Sequence, residues 1–544
     1  MNPGKQSSRQ TPPSPNGPSV RGKLAVVSLL ILICALYLGH VRAYDFVSDD
    51  TFITLRYAEN LAEGHGLVFN HNDRIEGFSS PLWTIVLSAA HRVGLDLLPT
   101  SRTLGTVIGL AVLVLLYLLV SAASDHEVHP LIAAIAPLVL ASNGSFACWA
   151  ASGMETMLYT ALLVGSFLAA FSGKLRLAAL TTMALILARP ESAIAVAVLG
   201  LFLLLRRREY GWKRIALWGI ACCGTAVALF ASRYLYYGQW LPNTFYAKTG
   251  GGLEAIDRGL VYLRHYAADH EGLVLMSLPL IYASVAGNAK QRCLALAATG
   301  MWLFTVVVGG DGLPMYRFAV APLALLVVLQ AQLVAGLYRA AARSPVRRWT
   351  LHAACIAVVF LLATVHATKP SMAAHYANYE YQKKVEVPRW TQVGTWLRDH
   401  ARPGESLAAV PIGAVSYYSG LTAIDMMGLT DGHIAHREMP NMGEGWAGHE
   451  KRDGQYILSR KPTYLLLGNI DVSKRPRDPS KIPFIPYRHR AIWEREKDFY
   501  DTDLLPKLYE SRSAEIGPGA YLNFYELREQ YRTHGLLPQT GAGH

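Results

Sequence analysis

Charged residues are scarce in this chain. They make up 17% of its 544 residues, while 52% are hydrophobic and the mean hydropathy is positive, at +0.22. Soluble domains carry about 25% charged residues, so the deficit argues against a soluble enzyme. The high apolar content also excludes disorder for most of the chain. Cysteine is sparse too. All six (Cys34, Cys148, Cys222, Cys223, Cys293 and Cys355) lie in apolar stretches, which excludes a disulfide scaffold. Neither a phosphate-cradling Gly-rich loop nor a dinucleotide fingerprint is visible. No internal repeat is evident, which speaks against a transporter of duplicated halves.

What the chain does have is apolar runs. After a polar, basic tail at 1–22, which reads as disordered, the first run is LAVVSLLILICALYLGHV, without a small-residue cleavage site after it. It reads as an uncleaved crossing rather than a secretory signal. Further runs lie at 103–122, 129–142, 154–171, 176–188, 192–205, 214–232, 272–287, 292–308, 318–338 and 349–367. Several fall short of the ~20 residues of a straight span, as helices lining an enclosed cavity can. The net charge of +12 comes from basic clusters between these runs, so it reads as membrane orientation rather than nucleic-acid binding. Lys174/Arg176, Arg206–Arg208 with Lys213/Arg214, Lys290/Arg292, and Arg339/Arg343 with Arg347/Arg348 are expected inside. Parity then makes 81–97 a surface or re-entrant segment.

These observations predict a polytopic α-helical membrane protein of about 11 crossings. A disordered tail at 1–22 precedes a transmembrane domain at 23–367, whose external loop is 41–102. An extracytoplasmic α/β domain follows at 368–544. Within that last part, 390–400 reads as helix and 406–410, 421–425 and 464–467 as short buried strands.

The loop 41–102 carries adjacent carboxylates, Asp49 and Asp50, just before an amphipathic stretch at 51–61. Asp50 suits an N-cap, and either aspartate suits a general base at the membrane boundary. His65, His71 and Asp73 are too scattered to argue for a metal. Lys248 and Arg317 stand at headgroup depth, where cations suit a phosphate. Arg56, Arg189, Glu155, Asn243 and Asp311 share the external face. Arg189 and Glu191 also suit a structural ion pair. Acids above a rim of bases fit a lipid-linked phosphosugar.

At these residues the chain resembles the GT-C superfamily of polyprenyl-phosphate-sugar glycosyltransferases. More narrowly, it is similar to bacterial arabinofuranosyltransferases of the mycobacterial terminal β-(1→2) and pilin-modifying types. The matching stretches are SDDTFITLRYAENLAEGHGLVFN, IEGFSSPLW, SGMET, ARPES, RYLYYGQWLPNTFYAK, GGDGLPMYRF and YYSGLTAIDMMGLTDGHIA. The resemblance implies a decaprenyl-phosphate arabinofuranose donor and inverting transfer to a hydroxyl on a cell-envelope glycan or glycoprotein. It also implies a bacterial inner-membrane location, with the active site outside. The acidic motif would hold the base, Asp49 or Asp50, with a slight preference for Asp49. Lys248, Arg317, Arg56 and Arg189 would meet the donor phosphate. Glu155, Asn243, Asp311, Tyr418 and Asp425 would line the substrate site. Some members of the superfamily use a divalent cation; the sequence does not require a cofactor. The alternatives are another sugar such as mannose, or a lipid-linked glycan transporter.

Overall fold

The computed structural model describes residues 20–71, 73–341, 373–440, 442–481, 485 and 490–532. The expected crossing at 349–367 and nearly all of the 1–22 tail lie outside them. Among the described residues four helices are long and apolar enough to cross a membrane: Leu24–Tyr44, Leu97–Ala122, Trp212–Tyr237 and Arg317–Ala340. A further pair, Pro130–Ala141 and Gly144–Ala151, meets at 62°. Asn143 caps the second of the two, its side chain accepting from Phe146 N at 3.0 Å. Shorter apolar helices run Thr156–Phe171, Leu175–Ala188, Ser192–Leu205 and Leu275–Val285. The protein is a membrane protein. Its Trp212–Tyr237 helix turns Leu217, Ile220, Val227 and Leu235 outward, an arrangement that lipid stabilises and water does not.

The Arg317–Ala340 helix is the innermost, 89% of its most apolar window being buried. The segment at 81–97 forms a helix at Pro81–Arg92. Its 12 residues reach about 18 Å.

Six strands form one sheet. β1 (Ser406–Ala409), β2 (Thr422–Asp425) and β3 (Tyr464–Leu466) are parallel, in the order β2-β1-β3. β4 (Val472–Ser473), β5 (Tyr509–Gly517) and β6 (Ala520–Leu527) complete it. β3 and β4 lie end to end along one edge of β6, and β5 lies along the other. The helix Val387–His400 covers the sheet with Val387, Trp390, Val393, Gly394 and Leu397, a helical spacing.

The first external loop and the sheet share a core. Phe52, Ile53, Leu55, Tyr57 and Ala58, from the helix Asp49–Glu63, pack in one buried cluster with Trp390, Leu397, Leu407, Val415 and Leu466. The helix bearing the acidic pair is thus clamped between membrane helices and sheet.

Candidate active site

Asp49 and Asp50 open the helix Asp49–Glu63. Ser48, not Asp50, is its N-cap residue, and Ser48 makes no side-chain capping bond. This corrects the expectation of an Asp50 cap. The two carboxylates diverge. Asp49 Oδ2 accepts from Gly413 N at 2.9 Å and Oδ1 from Ala414 N at 2.8 Å. Gly413 has to be glycine, since a Cβ there would meet Asp49 O at 2.0 Å. Burial pushes the Asp49 carboxyl up to about 7; the two amide bonds oppose this, and the charges of Asp50 and Glu386 add to it. Asp50 is half-buried and points the other way, its Oδ2 3.9 Å from Arg317 Nη1.

Arg317 opens the central helix, and a strained turn holds it there. Met315 and Tyr316 both take positive φ, at 58° and 49°, which costs non-glycine residues on the order of 1–3 kcal/mol each. Trp149 Nε1 pins the turn by donating to Met315 O at 2.8 Å, and Tyr316 OH donates to Asp269. The guanidinium of Arg317 then grips Asp311 through two bonds, 2.9 and 3.1 Å. Its remaining nitrogen, Nη1, touches Met154 Sδ at 3.6 Å and faces Asp50.

Lys248 ends the short helix Asn243–Lys248. Among the described residues it makes no hydrogen bond and no ion pair. Solvent reaches its side chain, yet surrounding protein lowers its pKa through burial; Asp50 and Asp311 act against this, and Arg317 and Arg189 act with it. It lies beside the same charges. Arg189, by contrast, is closed off. It donates to Glu155 at 2.7 Å and to Glu191. A cavity of about 20 Å³ lies between Arg189 and Arg317, lined also by Thr156, Tyr159 and Thr305. It has room for about one water and is too small for a sugar.

The structure thus brings Asp50, Lys248, Arg317 and Asp311 together, with Arg189 and Glu155 behind them. Four expected site residues do other work. The Arg56 guanidinium is spent on the carbonyls of Phe69 (2.8 Å), Ser416 (2.6 Å) and Leu421 (2.7 Å), clasping the first loop to the sheet. Asn243 Nδ2 donates to Gly428 O and Leu429 O at 2.7 and 3.0 Å. Asp425 accepts from Met427 N and Thr430 N, both at 2.8 Å, and burial raises its carboxyl to about 6. Tyr418 packs at a tilt against Phe52, with ring centroids 5.4 Å apart.

The donor set does not suit a divalent cation at this place. Asp311 is held by Arg317, Asp49 by two amides, and Asp50 stands beside a guanidinium and an ammonium. Among the described residues the one grouping with metal-ligand spacing is Glu59, Glu63 and His91, away from these groups along the helix Asp49–Glu63. His65 and His71 stack on each other at 3.9 Å.

Sequence reasoning passed over the loop 442–450. Glu450 accepts from Gly443 N and Gly445 N at 2.7 and 2.9 Å and pairs with Arg258 at 3.0 Å. Trp446 Nε1 donates to Gly312 O at 2.8 Å. The loop is thereby fastened beside Lys248. Its three glycines, at 443, 445 and 448, were the available signal. The buried pair of Glu76 and Arg233, at 2.9 Å, was also missed.

Comparison with known proteins now bears on this arrangement. ArnT from Cupriavidus metallidurans bound to undecaprenyl phosphate superposes with a TM-score of 0.56, at 13% identity, over 94% of this chain and 100% of that one. The apo form of ArnT gives 0.51 at 14% identity, over 74% and 86%. The fold is the GT-C membrane fold. Residues 374–522 of this chain match a domain of unknown function, DUF8728. The terminal beta-(1->2)-arabinofuranosyltransferase of Mycobacterium tuberculosis is 29% identical over 264 residues, 45% of this chain and 42% of that protein. The match therefore spans less than half of that relative's length.

Proposed function

We propose that the protein is a membrane glycosyltransferase that moves a sugar, D-arabinofuranose, from a polyprenyl-phosphate donor to an acceptor hydroxyl of a cell-envelope glycan or glycoprotein. The observation that carries this reading is the pairing of an open carboxylate, Asp50, with Arg317 at 3.9 Å beside an ammonium, Lys248, that has no ion-pair partner among the described residues. The undecaprenyl phosphate of the similarly folded ArnT supports a lipid-phosphate donor, and the mycobacterial relative supports the sugar.

In this reading the lipid tail lies in the bilayer and the phosphate meets Lys248 and Arg317 Nη1. Asp50 accepts the proton of the acceptor hydroxyl. That oxygen bonds to the anomeric carbon from the face opposite the phosphate, and the bond from this carbon to the phosphate oxygen breaks. The electron pair leaves on the polyprenyl phosphate, where Lys248 and Arg317 stabilise it, and the anomeric centre inverts. The preference between the two aspartates moves to Asp50, because both oxygens of Asp49 are engaged by amides. Asp49 fixes the sheet against the helix and so holds Asp50 in position. The active site faces outward from the plasma membrane, in line with the basic clusters on the opposite loops.

The test is transfer by purified protein from a panel of radiolabelled polyprenyl-phosphate sugars to several acceptors. Turnover with the arabinofuranosyl donor is expected. Turnover with the mannosyl donor alone would change the sugar and keep the chemistry. Turnover with none would reject the reading, and transport of intact donor across vesicles would favour a transporter.

A further inference from the structure

The strongest unassigned group is an imidazole on the fastened loop. His449 follows Gly448, whose backbone lies against Lys248. A Cβ on Gly448 would come within 3.2 Å of Lys248 Cε, and its φ of +75° suits glycine alone. One residue further on, His449 Nδ1 is bonded to Ala447 O at 3.1 Å. A carbonyl can only accept, so Nδ1 carries the proton and Nε2 is left with its lone pair. Nε2 has no hydrogen-bond partner among the described residues, and it is not sealed away, since the side chain is half-buried. The charged groups that act on this imidazole are Arg495, Asp50 and Lys248. Two of these are the proposed base and a proposed phosphate ligand. Burial and the Arg495 charge hold the pKa of His449 below the usual histidine range, which keeps the ring neutral.

We propose that His449 is a further substrate-contacting residue of the transfer reaction, its Nε2 accepting a hydrogen bond from a sugar hydroxyl bound between Asp50 and Lys248. This rests on the glycosyltransferase reading above. The chemistry fits a neutral hydroxyl and not a phosphate, because a lone pair repels an anion. The loop that carries His449 is anchored at both ends of its turn, by Trp446 on Gly312 and by Glu450 on Arg258. The ring is thus preorganised, and its acceptor atom needs no reordering when sugar arrives. A hydroxyl can come from the donor sugar or from the acceptor glycan, and kinetics separates the two.

The experiment compares wild type, H449A and H449Q in the transfer assay, varying donor and acceptor in turn. H449A leaves a buried hydroxyl unpaired and is expected to lower kcat/KM by about 10- to 100-fold. H449Q retains an acceptor oxygen and is expected to recover most of it. A rise in KM confined to the acceptor assigns the hydroxyl to the glycan; one confined to the donor assigns it to the transferred sugar. Chromatographic monodispersity and an unchanged thermal midpoint for H449Q separate this from misfolding. An H449A enzyme matching wild type, or an H449Q enzyme as impaired as H449A, overturns the role of His449 while the transferase reading stands. A wild type that turns over no donor overturns that reading, and this inference with it.

Discussion

Arg189 and Arg317 flank Phe318, 5.3 and 5.1 Å from its ring, and both are buried. They differ in how their charge is met. Arg189 has a carboxylate at hydrogen-bond distance on each side, Glu155 and Glu191. Arg317 has one such partner, Asp311; its second acid, Asp50, stands off at 3.9 Å. Lys248, next to them, has none. A buried charge with complete partners is a structural device, because its desolvation is already compensated. Incomplete partnering at an open edge is costly unless a ligand completes it. The contrast separates the part of the cluster that holds the fold from the part whose charges are left for a ligand to complete.

The contrast breaks most sharply at Asp50. D50N keeps size and polarity but removes the proton acceptor. A positioned general base contributes about 10²- to 10⁴-fold, so initial transfer rates should fall by that much at an unchanged thermal midpoint. Transfer by D50N within threefold of wild type would return the base role to Asp49.

At Arg189 the outcome should reverse, with stability lost first. R189M leaves Glu155 and Glu191 buried and unpaired, a change worth about 3–5 kcal/mol. The expected result is poor recovery of folded protein and a lowered midpoint in detergent. Adding E155Q and E191Q should restore part of it. A fully stable R189M enzyme with a raised donor KM would instead make Arg189 a phosphate ligand.

The split between these two arginines explains what was legible in the sequence. Helix 387–400 and strands β1, β2 and β3 fall within or beside the stretches read as helix and strands, because short apolar runs between turn residues carry a local signal. The hairpin of β5 and β6 does not, since β5 is mostly half-buried without alternation and draws its order from β6. Residue type placed Lys248, Arg317, Asp311 and Asp50 on one face. It could not separate Arg56 from them. The partners of Arg56 are backbone carbonyls of Ser416 and Leu421, some 360 positions away, and a carbonyl leaves no mark in composition. Asp49 was indistinguishable from Asp50 for the same reason: its partners are the amides of Gly413 and Ala414. His449 escaped because one histidine in a glycine-rich loop resembles any other surface turn.

Lys248 sharpens the comparison at a smaller scale. With no partner to lose among the described residues, K248Q should leave the thermal midpoint where it is. It should raise the donor KM about tenfold or more, the range of a charge-assisted hydrogen bond. Acceptor KM should not move. A destabilised K248Q protein would mean that the ammonium is part of the scaffold, like Arg189.

The smallest expected effect lies at Asp49 and concerns pH. Its carboxyl is raised from an ordinary 3.8 to about 7 in the folded protein. Between those values the folded state holds a proton that the unfolded state has released. Stability therefore falls as pH rises from about 4 to 7, the opposite of the usual salt-bridged aspartate. The two amides from Gly413 and Ala414 limit the fall, because they favour the ionised form. D49N cannot titrate, so its midpoint should lose less between pH 5 and pH 8 than wild type does. The difference is on the order of 2 °C for a chain of this size. Equal slopes in the two proteins would mean that Asp49 ionises as freely in the fold as outside it. The anchor would then be a plain carboxylate cap on the Gly413–Ala414 turn, its two oxygens still engaged by the amides, and the preference for Asp50 as the base would stand.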